Sequence, residues 1–527
     1  MLKEQLLAEA QVGFPILSAL IVLPLLAALL LALVRDATAG RRIALIAAIG
    51  EVALALFMAF GFVPGVADMQ YVERRSWIPS LGIGYTVGVD GISMLFVPLA
   101  AIIALAVLLS PAAGVRFMPR LFGANVLLLL AATVGIFVAL DLVLFYVFFE
   151  LALIPAFLMI RLWGSGAQRE HAGMKYIVFM LCGSVPLLLG FIMIGIEHQA
   201  ATGRWSFDLV ELLQSPIPAA SQALLFVLLV TGFAVKGPLL PLHSWMPVAI
   251  SEGPIGVGVF LVGLKLGAYG FLRFVMPLLP QATLDWWWVL VVLGLAALLI
   301  AALIALVQRN LRRLLTFASI SHVGLVMVGL FSLTSQGMQG ALLLLLSMGL
   351  TSTGLLLLTG ALQARLGSAD LGSMGGIARH MPRLATLFFI LGIASVGMPG
   401  TLNFNGEFLI LLGAYFAHPA IAVVGALGVI LSAGYFLWYY ERAFFGPVKH
   451  AALARLPDLG RRDTAVAVSL AALAVWGGLF PATLQQVTEP SVAQLREHLR
   501  SAALASAESA PRVTGAVTGA AVIAAAR

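Results

Sequence analysis

The stretch WWWVLVVLGLAALLIAALIAL, residues 286–306, carries no charged side chain. Its length matches the roughly 20 apolar residues that a helix needs to cross the hydrocarbon core of a bilayer. The three tryptophans at its start are typical of the aromatic belt at a membrane surface. The stretch therefore predicts a transmembrane helix, and the same signal recurs along the chain.

The composition of the whole chain is that of an integral membrane protein. Of the 527 residues, 61% are hydrophobic and only 10% are charged, whereas soluble domains carry about 25% charged residues. The single cysteine, Cys182, cannot form an internal disulfide, and an iron–sulfur cluster needs about four ligands. Basic residues occur singly between apolar runs, so the formal charge of +7 does not indicate a nucleic-acid partner. We expect a lipid-embedded chain without its own redox centre or metal site.

The apolar runs predict an all-α integral membrane fold of about fourteen transmembrane helices. Each run is long enough to span a bilayer, and polar or basic residues separate it from the next. The candidate spans are residues 15–34, 43–63, 92–110, 121–138, 140–161, 174–195, 219–241, 252–275, 286–306, 313–332, 338–361, 384–411, 418–440 and 464–484.

Basic residues are distributed unevenly over the connections between these spans. Nineteen lie in odd-numbered connections, against nine, Arg273 included, in even-numbered connections and terminal segments. Because cytoplasmic loops carry the excess of Lys and Arg, both termini should lie on the outer face of a bacterial inner (cytoplasmic) membrane. Residues 64–91 predict a short hairpin on that face. Residues 485–527 form an Ala-rich tail that reads as a surface helix or a partly disordered segment.

Five ionisable residues interrupt the apolar spans. Glu150, Lys236, Lys265, His322 and Glu407 lie in five different spans, where a charge costs about 2.5–3.5 kcal/mol at mid-helix. Each alone could be a structural ion pair or a snorkelling side chain. Together they favour a proton relay, in which a carboxylate close to a buried lysine switches that lysine between binding and releasing a proton.

Two spans contain helix-breaking residues beside these charges. Lys236 is followed by Gly237 and Pro238, and the sequence Gly-Met-Pro-Gly, residues 397–400, precedes Glu407. Broken helices in a membrane line polar cavities, and paired breaks in two halves indicate inverted repeats. Spans seven and twelve should therefore be broken, with spans four to eight and nine to thirteen as two inverted five-helix repeats.

Other ionisable residues are weaker candidates. Glu51, in the second span, lies outside the repeats and reads as structural. Asp141 opens the fifth span and is placed to cap it. His243 and Glu252 flank the connection between spans seven and eight, where they are either boundary groups or a proton entrance.

Six motifs together resemble the antiporter-like subunits of respiratory complex I, in particular the chain M (subunit 4) family. They are GVDGIS with Asp90, LFYVFFELALIP with Glu150, FAVKGPLLPLHSW with Lys236, GLKLGAYGFLRF with Lys265, ASISHVG with His322, and GMPGTLNFNGEF with Glu407. The order and spacing agree from about residue 80 to 445. Glutamate at position 407 resembles chain M, since the L and N chains typically carry lysine there.

The resemblance implies a proton channel driven by quinone reduction elsewhere in the complex. It implies that Glu150 and Lys236 form the driving ion pair, that Lys265 and His322 lie on the central axis, and that Glu407 is the terminal proton carrier. It also implies neighbours of the L and N type and no cofactor in this chain, with quinone, FMN and iron–sulfur clusters in partner subunits. Four segments are expected: 1–120 (helices 1–3 and the outer loop), 121–275 and 286–440 (the repeats), and 441–527 (last helix and tail).

The sequence departs from the family pattern along the proposed axis. The usual LPDAH loop reads Met-Pro-Val-Ala-Ile and ends at Ile250, the usual SHG reads Ser-Met-Gly around Met348, and Asn310 replaces an aspartate. If protons still cross, water held by hydroxyl groups must bridge the gaps. The candidate hydroxyls near span eleven are those of Ser347, Thr351, Ser352 and Thr353. The alternatives are a subunit of a related cation/proton antiporter or membrane-bound hydrogenase, and a structural variant that does not pump.

Overall fold

The computed structural model describes residues 13–110, 117–449 and 456–509. Within these residues, twelve helices are long and apolar enough to cross a membrane, and two shorter apolar helices lie at the predicted third and twelfth spans. The all-α membrane fold is confirmed. The labelled helices are α1 (Ile16–Leu33), α2 (Ala37–Gly61), α3 (Phe96–Leu109), α4 (Pro119–Val138), α5 (Leu142–Trp163), α6 (Arg169–Thr202), α7 (Leu209–Gln214), α8 (Ala219–Lys236), α9 (Trp245–Glu252), α10 (Ile255–Leu278), α11 (Pro280–Leu306), α12 (Leu311–Phe331), α13 (Ser335–Leu366), α14 (Pro382–Ser395), α15 (Leu402–Ala417), α16 (Pro419–Phe445), α17 (Arg461–Leu479) and α18 (Pro481–Ser509).

A two-stranded hairpin follows α2, as predicted. Strand β1 (Gln70–Ile78) pairs antiparallel with β2 (Ile83–Val89). Glu73 on β1 accepts hydrogen bonds from the backbone N–H groups of Leu17 (2.8 Å) and Ser18 (3.2 Å). These N–H groups belong to the first turn of α1 and have no partner within the helix. The carboxylate of Glu73 therefore fixes the hairpin against the start of α1.

Helices α12 and α13 lie at the centre of the bundle, and most of their residues are buried. Their neighbours approach closely at glycines: a Cβ atom at Gly324 would overlap the backbone of Gly294 on α11. Small residues at helix crossings allow the van der Waals packing that holds membrane helices together. The side chains of α12 and α13 are thus withdrawn from lipid.

The prediction that Arg273 lies in a connection is wrong. Helix α10 continues to Leu278, and Arg273 is buried in a π-helical segment, Phe271–Val275. The sequence around Arg273 is apolar, and the charge is neutralised by Asp90 inside the chain. Without Arg273, the odd-numbered connections still carry the excess of basic residues.

Several boundaries also differ from those predicted. Helix α6 runs from Arg169 to Thr202, and α11 begins at Pro280, six residues before the tryptophans. The tail is helical over Pro481–Ser509, while residues 510–527 lie outside the described part of the chain. The inverted relation between the two groups of five spans, and the division into four segments, stay predictions.

Candidate functional site

Lys236 is the last residue of α8, and it is held against α5. Gly237 and Pro238 follow it, and proline cannot continue a helix because it lacks an N–H group. The ammonium group donates a hydrogen bond of 2.6 Å to the carbonyl oxygen of Phe149 and lies 3.6 Å from the centre of the Phe149 ring. A carbonyl oxygen and the face of an aromatic ring both attract a cation. This contact places the Lys236 ammonium at an irregular point of α5.

Glu150 follows Phe149 directly and is half-buried. Its carboxylate interacts electrostatically with Lys236. Of the salt bridges between described residues, none joins these two side chains. The helix is irregular at Ala152, shortly before Pro155, which lacks an N–H group. The structure thus brings Glu150 and Lys236 close together, but the Lys236 ammonium is bonded to the Phe149 carbonyl.

Lys265 lies at a break in α10 that no proline in the sequence indicates. Regular helix ends at Gly263 and resumes at Leu266, and Leu264 has an extended backbone. The buried ammonium group donates a hydrogen bond of 3.2 Å to the Leu261 carbonyl, in the turn that precedes the break. Gly267 packs on Gly237 so closely that a Cβ atom would overlap the Gly237 backbone. The breaks that follow Lys236 and surround Lys265 are therefore in contact.

A small cavity lies beside Lys236 and reaches the turn that precedes Lys265. Its lining includes Lys236, Tyr176, Thr133, Leu261 and Leu264. The cavity volume is about 20 Å³, and one water molecule needs roughly 10–15 Å³. The cavity can therefore hold a water molecule between the Lys236 ammonium and the backbone turn that carries Lys265.

His322 and Glu407 are in contact in the interior of the bundle. His322 Nε2 lies 3.4 Å from Glu407 Oε1, and both side chains are buried. His322 Nδ1 is 2.8 Å from the carbonyl oxygen of Ala318. Because a carbonyl oxygen only accepts hydrogen bonds, Nδ1 carries the hydrogen in the neutral ring and Nε2 is free to take a proton. The two groups are thus arranged for proton exchange.

The two carboxylate oxygens of Glu407 differ in their hydrogen bonding. Asn403 Nδ2 donates a hydrogen bond of 2.7 Å to Glu407 Oε1. Glu407 Oε2 has no hydrogen-bond partner among the described residues. It faces Gly397, whose φ of +76° and lack of a side chain leave room for it, since a Cβ atom there would overlap the carboxylate. The predicted break between α14 and α15 thus makes space for the carboxylate.

Helix α13 packs both on the first half of α10 and on α12, the helix that carries His322. It packs on α10 where a Cβ atom at Gly263 would lie 3.3 Å from Thr353 Oγ1. The hydroxyl oxygens of Ser347 and Thr353 on α13 have no hydrogen-bond partner among the described residues, nor has that of Ser319 on α12. A buried hydroxyl without a partner costs about 1–3 kcal/mol unless ordered water satisfies it. The arrangement therefore favours water at these hydroxyls.

The residues that replace the family's histidines are apolar and enclosed. Ile250 and Met348 are both buried. Glu252 lies at the end of α9, where its carboxylate accepts a hydrogen bond of 2.9 Å from the Gln168 N–H. His243 is half-buried, and its Nδ1 lacks a hydrogen-bond partner among the described residues. No hydrogen bond or salt bridge in the described part of the chain joins either side chain to Glu150, Lys236, Lys265, His322 or Glu407, so their role as an entrance stays a prediction.

Two other predicted ionisable residues lie apart from this axis. Asp141 caps α5, as expected, by accepting hydrogen bonds from the N–H groups of Val143 (2.9 Å) and Leu144 (3.0 Å). Glu51 is buried in α2, and neither carboxylate oxygen has a hydrogen-bond partner among the described residues. The network of Asp90 and Arg273 was missed. A signal for the burial of Arg273 was present, because it lies eight residues after Lys265 within the same apolar run, but no signal pointed to Asp90.

Comparison with known proteins places the chain among membrane subunits. The family model described as "NADH:quinone oxidoreductase/Mrp antiporter, TM" matches residues 139–432. NADH-quinone oxidoreductase subunit M of Rhodobacter capsulatus is 36% identical over 501 residues, covering 91% of this chain and 96% of the relative. NADH-ubiquinone oxidoreductase chain 4 of Marchantia polymorpha is 34% identical over 486 residues, covering 92% and 97%.

Solved structures give the same picture. A chain of respiratory complex I from Thermus thermophilus with bound NADH matches with a TM-score of 0.84 at 32% identity, covering 92% of this chain and 99% of that one. A chain of the Mrp complex from Dietzia sp. matches with a TM-score of 0.79 at 22% identity, covering 92% and 98%. At that identity the second match shows a shared fold alone.

Proposed function

The chain belongs to the family of NADH:quinone oxidoreductase and Mrp antiporter transmembrane subunits, and we propose that it carries protons across the membrane within an NADH–quinone oxidoreductase. The observation that supports this best is the 3.4 Å approach of His322 Nε2 to Glu407 Oε1 inside the bundle. A titratable pair buried among apolar helices is expensive to maintain and is typical of ion pathways.

The proposed route joins five residues. The negative charge of the Glu150 carboxylate attracts the Lys236 ammonium. A proton then leaves Lys236 through the adjoining cavity toward Lys265. Water at the hydroxyl groups of α12 and α13 passes it to His322, and His322 Nε2 delivers it to Glu407. Movement of the Lys236 ammonium between the Phe149 carbonyl and Glu150 would switch the first step.

A second candidate function is proton or cation exchange in an Mrp-type antiporter, since the Mrp complex from Dietzia sp. shares the fold. The partners decide between the two. We propose that this chain assembles with L- and N-type membrane subunits, and that quinone, FMN and iron–sulfur clusters are held by other subunits. Affinity purification of the tagged chain from membranes should recover iron–sulfur and flavin subunits. Recovery of small antiporter chains without them would favour the second function.

The loss of a histidine at position 348 should have little effect on pumping. We expect Met348→His to leave the proton-to-electron ratio of the reconstituted complex near its original value, because unpaired hydroxyls of Ser347 and Thr353 already supply partners for water. Met348→Leu is the control for a change of shape without a polar group. A rise in the ratio with histidine, but not with leucine, would show that the native route is impaired.

Both termini should face the periplasm. The excess of basic residues in the odd-numbered connections predicts this orientation. A reporter enzyme that works only in the cytoplasm should be inactive when fused after Arg527, while one that needs export should be active. Strong activity of the cytoplasmic reporter would overturn the helix count or the proposed orientation.

A further inference from the structure

A buried ion pair ties the second half of α10 to the hairpin connection. Arg273 donates hydrogen bonds to both carboxylate oxygens of Asp90, at 2.9 Å from its Nη1 to Oδ2 and through its Nη2 to Oδ1. Arg273 is 4% exposed and Asp90 3%. Asp90 also accepts hydrogen bonds from the N–H groups of Ile92 (3.0 Å) and Ser93 (3.1 Å). The backbone of its own loop therefore holds the Asp90 carboxylate in the position in which it binds the guanidinium.

The same guanidinium reaches a third element through a tyrosine. Arg273 Nε donates a hydrogen bond of 3.0 Å to the hydroxyl of Tyr269, which donates one of 2.9 Å to the carbonyl oxygen of Phe137 on α4. The Tyr269 and Phe137 rings are 5.0 Å apart in an edge-on arrangement. Arg273 therefore joins α10, α4 and the Asp90 loop in one continuous network.

The tail helix α18 packs on the Asp90 loop and on the end of α10. Ser491 Oγ accepts a hydrogen bond of 3.0 Å from the N–H of Gly91, next to Asp90. A Cβ atom at Gly91 would overlap the Val487 carbonyl, so α18 lies directly on this loop. Further along α18, His498 Nε2 lies 3.0 Å from the Pro277 carbonyl at the end of α10. One helix thus contacts both the Asp90 loop and the end of α10.

We propose that Asp90, Arg273 and Ser491 are positioning residues that hold the half-helix Leu266–Leu278 in place and so set the position of Lys265 relative to Lys236. The break at Lys265 leaves this half-helix without a continuous connection to Ile255–Gly263. Its beginning packs through Gly267 on Gly237, next to Lys236. Its end is held by Arg273 and α18. A shift of the half-helix would change the gap between the two lysines.

This inference rests on the proposed proton route, because the position of Lys265 matters only if Lys265 carries protons. The test uses the purified complex with Arg273→Lys, which keeps the charge but cannot reproduce the two-pronged contact with Asp90 and the bond to Tyr269 together. Ser491→Ala is the second variant, since it removes one hydrogen bond at the surface of the network and should assemble normally. Arg74→Ala is the control, because it breaks an ion pair between β1 and Asp208 (3.1 Å) that includes no residue of α10.

Two measurements are made on each complex: hydrogen–deuterium exchange of peptides covering 264–278, and the proton-to-electron ratio in liposomes. We expect Arg273→Lys to speed exchange in this segment by at least about tenfold and Ser491→Ala by less, because part of a buried charge network is lost. Peptides covering 219–236 should be unchanged, and the ratio should fall in both variants but not in Arg74→Ala.

Each outcome separates the two ideas. Unchanged exchange at 264–278 in both variants would overturn the positioning role, whatever the pumping ratio. A second outcome is that Arg273→Lys speeds exchange at 264–278 but leaves the proton-to-electron ratio unchanged, while Glu150→Gln lowers the ratio. That result would show that the network does not control Lys265. If neither Arg273→Lys nor Glu150→Gln lowers the ratio while exchange rises, the restraint on the half-helix stands and the proposed proton function fails.

Discussion

Replacing Lys236 by alanine should lower the coupled quinone reductase rate at least about tenfold without blocking assembly. The ammonium group is the only part of the side chain that bonds the Phe149 carbonyl and interacts with Glu150. Its loss leaves the Glu150 carboxylate without its cation, and it removes the first proton carrier of the proposed route. NADH-driven quinone reduction and proton uptake are measured on the reconstituted complex.

Glu150→Ala should give a similar loss, and the double variant should be little worse than either single one. Two residues that act as one switch give non-additive effects. Lys175→Ala is the matched control, because Lys175 also lies over a phenylalanine ring, that of Phe179 on α6, and is not one of the five residues of the proposed route. Independent losses that add up in the double variant would argue against a Glu150–Lys236 unit.

The second large effect is expected at the other end of the axis. Glu407→Gln keeps an oxygen that can accept the hydrogen bond from Asn403 but cannot carry a proton. Pumping by this chain should therefore be lost while the fold is kept. Gly397→Ala should have a comparable effect without changing any titratable group, since the new methyl group would displace the carboxylate from its position beside His322.

Gly400→Ala separates this displacement from backbone strain. Gly400 has a φ of +89°, so alanine there carries the same penalty of about 1–2 kcal/mol as at Gly397. Its Cβ atom would meet only Leu479, at an ordinary distance of 3.7 Å. Proton uptake should therefore fall in Gly397→Ala and persist in Gly400→Ala. Equal losses in the two variants would attribute the effect to strain in the loop and not to Glu407.

The sequence predicts the helices well because apolar length is a property of single segments. Each of the fourteen predicted spans overlaps a helix, the twelfth covering both α14 and α15, and Asp141 caps α5 as its position suggested. The broken region before Glu407 was also visible, since Gly and Pro act locally. These features depend on neighbours along the chain, which is the information that one sequence contains.

Contacts between distant segments were harder to predict. Nothing near Arg273 in the sequence indicates Asp90, which lies 183 residues away, and the charge was therefore assigned to a loop. The break at Lys265 has no proline, and it becomes understandable only when Gly267 is seen against Gly237. Likewise, the contact of His322 with Glu407 depends on the packing of α12 and α15. The sequence shows which residues are present, but only the structure shows which of them pair.

The proton-to-electron ratio of the reconstituted complex tests most directly whether this chain moves protons. Glu150→Gln is the variant of choice, because glutamine preserves the size of the half-buried side chain and removes its charge. Protons and electrons are counted with the membrane potential collapsed, so that the potential does not oppose proton translocation in either complex. The proposed function predicts a lower ratio than in the unmodified complex. An unchanged ratio would contradict it and would identify the chain as a structural member of the membrane arm.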